Sequence, residues 1–266
     1  MSGKEPEAAV AKQAVAATGT EIKYGFRFVT RESLRILFAF LVILVPLSAF
    51  AGLADELREG QGFFFDQPVQ LFLHKLATPG VDFFFVWISK LGYQYGVIPV
   101  DVAIAAWLVW KRRYRDALFF LLAVVGSLVV NMGAKNHFTR LRPDLWASIA
   151  PEMSYSFPSG HAMGSATLAT AVVLLAWPTK WRWWVSVPMV LFAVLVGMSR
   201  VYLGVHFPSD ILAGWSAACA WVLAMHWLVA SRAPPPPVHP AAPPAHDNIQ
   251  DSATAQKAVA TGKKPA

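Results

Sequence analysis

Residues 117–143 read ALFFLLAVVGSLVVNMGAKNHFTRLRP. The stretch 117–134 contains no charged residue, and Lys135, Arg140 and Arg142 follow within the next eight positions. Such a run approaches the roughly 20 apolar residues that carry a helix across a hydrocarbon core of about 30 Å. The cations at its end place a dense positive cluster at the mouth of a membrane helix. Five further runs repeat the pattern at 36–54, 96–110, 162–178, 183–199 and 211–230. Pro46 lies inside the first, where a spanning helix tolerates it. Asp101 interrupts the second, which is short unless 91–95 extend it. The expectation is an all-α polytopic membrane protein, a bundle of six transmembrane helices over 34–230.

Composition agrees. Of 266 residues, 56% are hydrophobic and 15% are charged, where a soluble domain carries about 25% charge. A water-soluble globule with so little charge would expose large apolar patches. Disordered and collagen-like chains are excluded by the same numbers. Cys219 is the single cysteine, which excludes an internal disulfide framework and any multi-cysteine metal site. Lys plus Arg is 23 against 16 Asp plus Glu, a net charge of +7. These basic residues sit between apolar spans, so the expected partner is the bilayer and not nucleic acid. The segment 1–33 is expected to be a cytoplasmic tail without a cleavable signal peptide. Seven of the 19 prolines fall between Pro234 and Pro244, so 231–266 is expected to be a disordered tail.

Lys and Arg in short loops set orientation. Lys23, Arg27, Arg31 and Arg35 precede the first span, and Lys111, Arg112, Arg113 and Arg115 separate the second from the third. Lys180 and Arg182 separate the fourth from the fifth, and Arg232 follows the sixth. Both termini are therefore expected in the cytoplasm, with 54–94, 135–161 and 200–210 outside. Tryptophans at span ends suit an interfacial belt. Residues 68–76 are expected to form a short interfacial helix burying Val69, Leu71, Phe72, Leu73 and Leu76.

Polar groups near a membrane core are costly and tend to be functional. Three clusters lie on the expected outer face. In the first, Lys135 and Arg142 are seven apart, nearly two helical turns, and share a face. With Arg140 they suit a dense anion such as phosphate. In the second, Ser159 and Gly160 open the fourth span and offer a hydroxyl and free amides, with His161 at the helix mouth. In the third, His206 and Asp210 are four apart, so a helical turn brings carboxylate to imidazole and frees the other ring nitrogen as a nucleophile. Arg200 adds another cation. Together these groups suit phosphoryl transfer. No acidic cluster suited to Mg²⁺ accompanies them, so no metal and no cofactor is expected.

The order Lys135, six residues, Arg142-Pro143; Pro158-Ser159-Gly160-His161; Ser199-Arg200, five residues, His206, three residues, Asp210 resembles a known signature. It is that of the type-2 phosphatidic acid phosphatase superfamily, which also holds vanadium-dependent haloperoxidases and glucose-6-phosphatase-like enzymes. The resemblance implies that His206 attacks phosphorus to form a phosphohistidine and that Asp210 orients it. It implies that His161 protonates the leaving group and then activates water. Lys135, Arg142 and Arg200 would hold the phosphate oxygens, with hydrogen bonds from Ser159 and Gly160. Arg140 lies outside the strict signature. The implied activity is that of a metal-independent lipid phosphatase in a bacterial inner membrane, its active site facing the periplasm. Undecaprenyl diphosphate, or a broad range including phosphatidate and phosphatidylglycerophosphate, is the favoured substrate, with lipid A phosphate as an alternative. The segments 54–90 and 144–155 are expected to shape the lipid entrance. Two readings of other classes compete: a vanadate-dependent haloperoxidase, disfavoured by the spans, and a non-catalytic lipid-binding or transport protein, which needs no pair of positioned histidines.

Overall fold

The computed structural model describes residue 37 and residues 40–60 and 62–231. The expectations for the two tails lie outside the described residues. Among those described there are eight helices: α1 Phe40–Arg58, α2 Asp66–His74, α3 Pro79–Leu91, α4 Val97–Trp110, α5 Tyr114–Phe138, α6 Gly160–Ala176, α7 Arg182–Tyr202 and α8 Pro208–Ser231. Four of them, α1, α5, α7 and α8, are long and apolar enough to cross a membrane. α4 and α6 are apolar but shorter, at 14 and 17 residues. At 1.5 Å per residue α4 reaches only about 21 Å. Its expected extension through 91–95 is not continuous helix: α3 ends at Leu91, and the chain turns before α4 begins.

The centre of the bundle is α6, packed on α5, α7 and α8 and touching α4. Its buried face is mostly small: Ala162, Ser165, Ala166, Thr167, Ala169 and Ala171. Small residues allow the close backbone approach that holds membrane helices together. A Cβ on Gly126 would sit 2.1 Å from Trp221, so only glycine lets α8 press its indole against α5 there. Away from α6 the surface is apolar. Phe40 and Val45 on α1 and Val125 and Val129 on α5 are exposed, as expected of a face solvated by lipid. Trp177, Trp181, Trp183 and Trp184 are exposed around the α6–α7 turn beside Lys180 and Arg182.

The outer elements refine one expectation and correct another. α2 begins at Asp66, and it buries Asp66 and Gln70 within the protein. Val69, Leu71, Phe72 and Leu76 point outward. In a protein bathed by lipid the apolar face can be the outer one, and α2 lies with its polar face against α7 and α8. The correction concerns α5, which stops at Phe138, where Thr139 takes a left-handed conformation (φ 47°). Arg142 therefore lies on the following loop, not on the same helical face as Lys135.

Candidate active site

His206 lies in the turn that joins α7 to α8 and is fully buried. Gly204 opens that turn at φ +71°, with the Trp146 indole where a Cβ would go, 2.7 Å away. The Gln70 amide on α2 donates to the His206 carbonyl at 3.0 Å. Asp210 stands in the first turn of α8 and caps the turn by accepting from the Phe207 amide at 2.9 Å. So His206 precedes the helix, and the expected single helical turn is instead a capped helix start. The Asp210 carboxylate still faces His206, Oδ2 lying 3.5 Å from Nδ1. Ser156 bridges them: its Oγ lies 3.3 Å from Nδ1 and donates to Asp210 Oδ2. An acceptor pair behind Nδ1 selects the tautomer with hydrogen there. The Nε2 lone pair then faces the opposite side.

That side is a basin of charge. Arg142 approaches Nε2 at 3.1 Å and is fixed by the Ser154 and Val205 carbonyls, each at 2.6 Å. Arg200, at the end of α7 and 2% exposed, donates to Ser89 on α3 and to Glu152. Lys135, near the end of α5, donates to the Tyr155 carbonyl and reaches Ser154 Oγ at 3.4 Å. His161 opens α6 with its ring 5.1 Å from that of Tyr93. Ser159 caps α6 by accepting from the Ala162 amide, and its own amide donates to the Asp210 carbonyl at 3.1 Å. This bond ties the start of α6 to the start of α8. Gly160 lies against Lys135 and Asn131: a Cβ there would be 3.2 Å from Asn131 Oδ1. All eight site residues expected from the sequence are thus brought together. Arg140 is not among the basin cations. Its guanidinium turns to the other side of His206, onto Asp66 at 2.9 Å and Asp210 at 2.5 Å.

The sequence reading missed Glu152. Its carboxylate sits among the basin cations, 2.8 Å from Arg142, bonded to Arg200, 3.6 Å from His161 Nδ1 and 4.0 Å from His206 Nε2. A lone acid in a loop carries no periodic or spacing signal. Ser156, two residues before Pro158, and Gln70 were likewise without a signal. The available hint was electrostatic: several cations in a water-poor site need a counter-charge. Burial, reinforced by Arg142, Arg200 and Lys135, pushes the His206 proton affinity well below the ordinary histidine value of 6.5. His206 is therefore neutral and carries the lone pair a nucleophile requires. Burial also lowers the affinity of Arg142, with Glu152 opposing. Among the described residues no group of three or more His, Cys, Asp or Glu is arranged to hold a metal ion.

A cavity of about 740 Å³ opens from this basin and runs between α4, α5 and α6. Lys135, Asn131, Leu128, Ser127 and Val124 line it along one stripe of α5. The eleven steps from Val124 to Lys135, at 1.5 Å each, make that stripe about 16 Å deep. Val97, Ile98 and Met163 line the other walls. The lining is largely apolar, with Asp101, Ser127, Asn131 and Thr167 as polar groups along it.

Comparison with known proteins identifies the family. The PAP2 superfamily model matches residues 116–234. Phosphatidylglycerophosphatase B of Bacillus subtilis is 36% identical over 146 residues, 53% of this chain and 71% of that one. A protein of Sulfolobus acidocaldarius named undecaprenyl-diphosphatase is 29% identical over 204 residues, covering 75% of this chain and 91% of its own. The crystal structure of a transmembrane PAP2-type phosphatidylglycerolphosphate phosphatase from Bacillus subtilis superposes with a TM-score of 0.63 at 28% identity, covering 72% of this chain and 98% of that one. The chain belongs to the PAP2 superfamily and is one of its membrane phosphatases.

Proposed function

We propose that this phosphatase hydrolyses a lipid phosphate or diphosphate at a membrane surface through a phosphohistidine, without a metal. One observation carries the reading: Asp210 and Ser156 hold Nδ1 of His206 while Nε2 faces Arg142 and the basin. The phosphate enters that basin and displaces the Glu152 carboxylate from Arg142 and Arg200. Nε2 attacks phosphorus, and the bond to the lipid oxygen breaks. His161 gives that oxygen its proton. The incoming phosphate supplies the negative charge that lets His161 hold a proton among three cations. Lys135, Arg142 and Arg200 take up the charge on the phosphoryl oxygens, helped by the Ser159 hydroxyl and the Gly160 amide at the α6 start. Asp210 stabilises the positive charge that His206 acquires. His161 then takes a proton from water, which attacks phosphorus and frees Nε2.

Undecaprenyl diphosphate or a broad range including phosphatidate and phosphatidylglycerophosphate is the favoured substrate. The lipid-phosphatase names of the relatives and the apolar cavity beneath the basin support it. The loop pattern of Lys and Arg supports six spans over 34–230, with 1–33 and 231–266 as cytoplasmic tails. The site then faces the periplasm from a bacterial inner membrane. The test is phosphate release by detergent-purified protein in excess EDTA. The panel comprises undecaprenyl diphosphate, phosphatidylglycerophosphate, phosphatidate and lipid A, each beside His206→Ala. Release by wild type alone is expected, and the preferred lipid names the substrate. Activity lost in EDTA and restored by Mg²⁺ would refute the metal-free mechanism.

A further inference from the structure

α2 lies outside the residues matched by the family model, yet its buried face ends on the nucleophile. Asp66 accepts from the Ser209 amide at 2.9 Å and from the Ser209 hydroxyl at 2.6 Å. Its Oδ2 also accepts from Arg140 Nη2 at 2.9 Å. Arg140 Nη1 donates to Ser209 Oγ at 2.8 Å and to Asp210 Oδ1 at 2.5 Å. The guanidinium plane lies against Phe207 at 4.2 Å and faces Phe63 at 5.6 Å. One rigid fork thus joins two buried carboxylates, and aromatic rings cover it.

The two oxygens of Asp210 are divided by this arrangement. Oδ1 belongs to Arg140, and Oδ2 belongs to Ser156, the Phe207 amide and the side of His206. A carboxylate bonded at one oxygen alone turns more easily about its last torsion than one held at both. Fixed at both, it presents Oδ2 to the imidazole. Charge matters as well. Asp66, Arg140 and Asp210 together carry one net negative charge, enough to meet the positive charge that His206 gains. Without Arg140 two carboxylates would share a buried pocket with no cation between them, which is unfavourable. Without Asp66 the fork would lose the partner that aims it.

We propose that Arg140, aimed by Asp66 of α2, is a positioning residue for the nucleophile, acting through Asp210 and not on the substrate phosphate. This rests on the phosphohistidine reading above. Substituting an outer partner that orients a metal ligand typically costs about 10- to 100-fold, and the same scale is expected for a partner that orients a nucleophile.

The test uses the full chain purified in detergent, with the best lipid of the panel and orthovanadate as the phosphate-like probe. Arg140→Met is expected to lower kcat by about 10- to 100-fold, with KM and the vanadate inhibition constant within about twofold of wild type. Asp66→Asn, which keeps the shape, is expected to lower kcat less and to leave the same two constants unmoved. Arg140→Lys keeps the charge and is expected to recover part of the loss. A rise in KM or in the vanadate constant that matches the fall in kcat would place Arg140 on the phosphate and overturn the proposal. So would a wild-type kcat in Arg140→Met. Should Arg140→Met fail to fold, Asp66→Asn and Arg140→Lys decide by the same split. Failure of the underlying reading is separate: it is seen as wild type releasing no phosphate from any lipid.

Discussion

The two sides of His206 are held by different kinds of contact. Behind Nδ1, Ser156, Ser209 and Asp210 show no exposure, and Asp66 only 3%. The bonds there run between groups from α2, the α5–α6 loop, the α7–α8 turn and the start of α8. In front of Nε2 the counter-charge to Arg142 and Arg200 is Glu152, on a loop and 28% exposed at its side chain. The rear is a closed polar cluster in which one cation bridges two carboxylates. The front is a set of fixed cations whose present anion can be exchanged for another. A site that must bind and release phosphate while keeping one imidazole tautomer needs both. The division predicts that changes behind His206 appear in kcat, and that changes in front appear in binding constants.

Removing the group between the two sides has the largest effect. His206→Ala should lower kcat by about 10⁴-fold or more, because no other group can carry the phosphoryl group. Its affinity for vanadate should survive through Lys135, Arg142 and Arg200. Turnover near wild type would dismiss the nucleophile assignment. His161→Ala should lower kcat on a lipid by about 10²–10⁴-fold, the usual worth of a positioned acid–base group. The loss in kcat/KM, which reports the leaving-group step and not the shared hydrolysis of the phosphohistidine, should shrink on p-nitrophenyl phosphate, whose leaving oxygen needs no proton. Equal losses on both substrates would remove His161 from the role of acid.

How far the sequence foretells this site follows from the same contrast. Groups aimed at phosphate must be cations, a histidine pair and an N–H-rich turn at particular spacings. That restriction made Lys135, Arg142, His161, Arg200, His206 and Asp210 legible. The supporting groups are less restricted. Asp66 and Gln70 lie on a helix whose apolar residues mark it as interfacial, and that reading says nothing of what its polar face meets. Arg140 looked like a third phosphate ligand because sequence shows charge but not direction, and the left-handed Thr139 sets that direction. The helices were easier to find than to bound. The apolar content of 91–110 does not mark the break between α3 and α4, and α5 continues beyond its uncharged run to Phe138.

Glu152 sharpens the comparison from the front. While it stays between Arg142 and Arg200, any phosphate must displace it. Glu152→Gln should therefore tighten inhibition by orthovanadate or inorganic phosphate, by roughly three- to fivefold for a partly exposed ion pair. Weaker inhibition would mean that the carboxylate supports the bound anion, and the picture of an exchangeable counter-charge would fail.

The smallest expected effect concerns stability. Folded His206 stays neutral well below 6.5, because it is buried and faces Arg142, Arg200 and Lys135. In the unfolded chain the same imidazole takes up a proton near 6.5. Below that pH the unfolded state binds more protons, so the folded state loses up to about 1.4 kcal/mol per pH unit from this residue alone. Above 6.5 the penalty vanishes. Many other groups titrate over the same range, so the informative quantity is the difference between wild type and His206→Gln, which cannot take up the proton. In detergent, the melting temperature of wild type should fall relative to His206→Gln by a few degrees as pH drops from about 7.5 to about 5. Saturating vanadate should shrink that relative fall, since a bound anion offsets the three cations that repel the proton. A gap independent of pH would mean that His206 protonates in the folded state as it does in water. The front of the site would then be far less desolvated than its packing indicates.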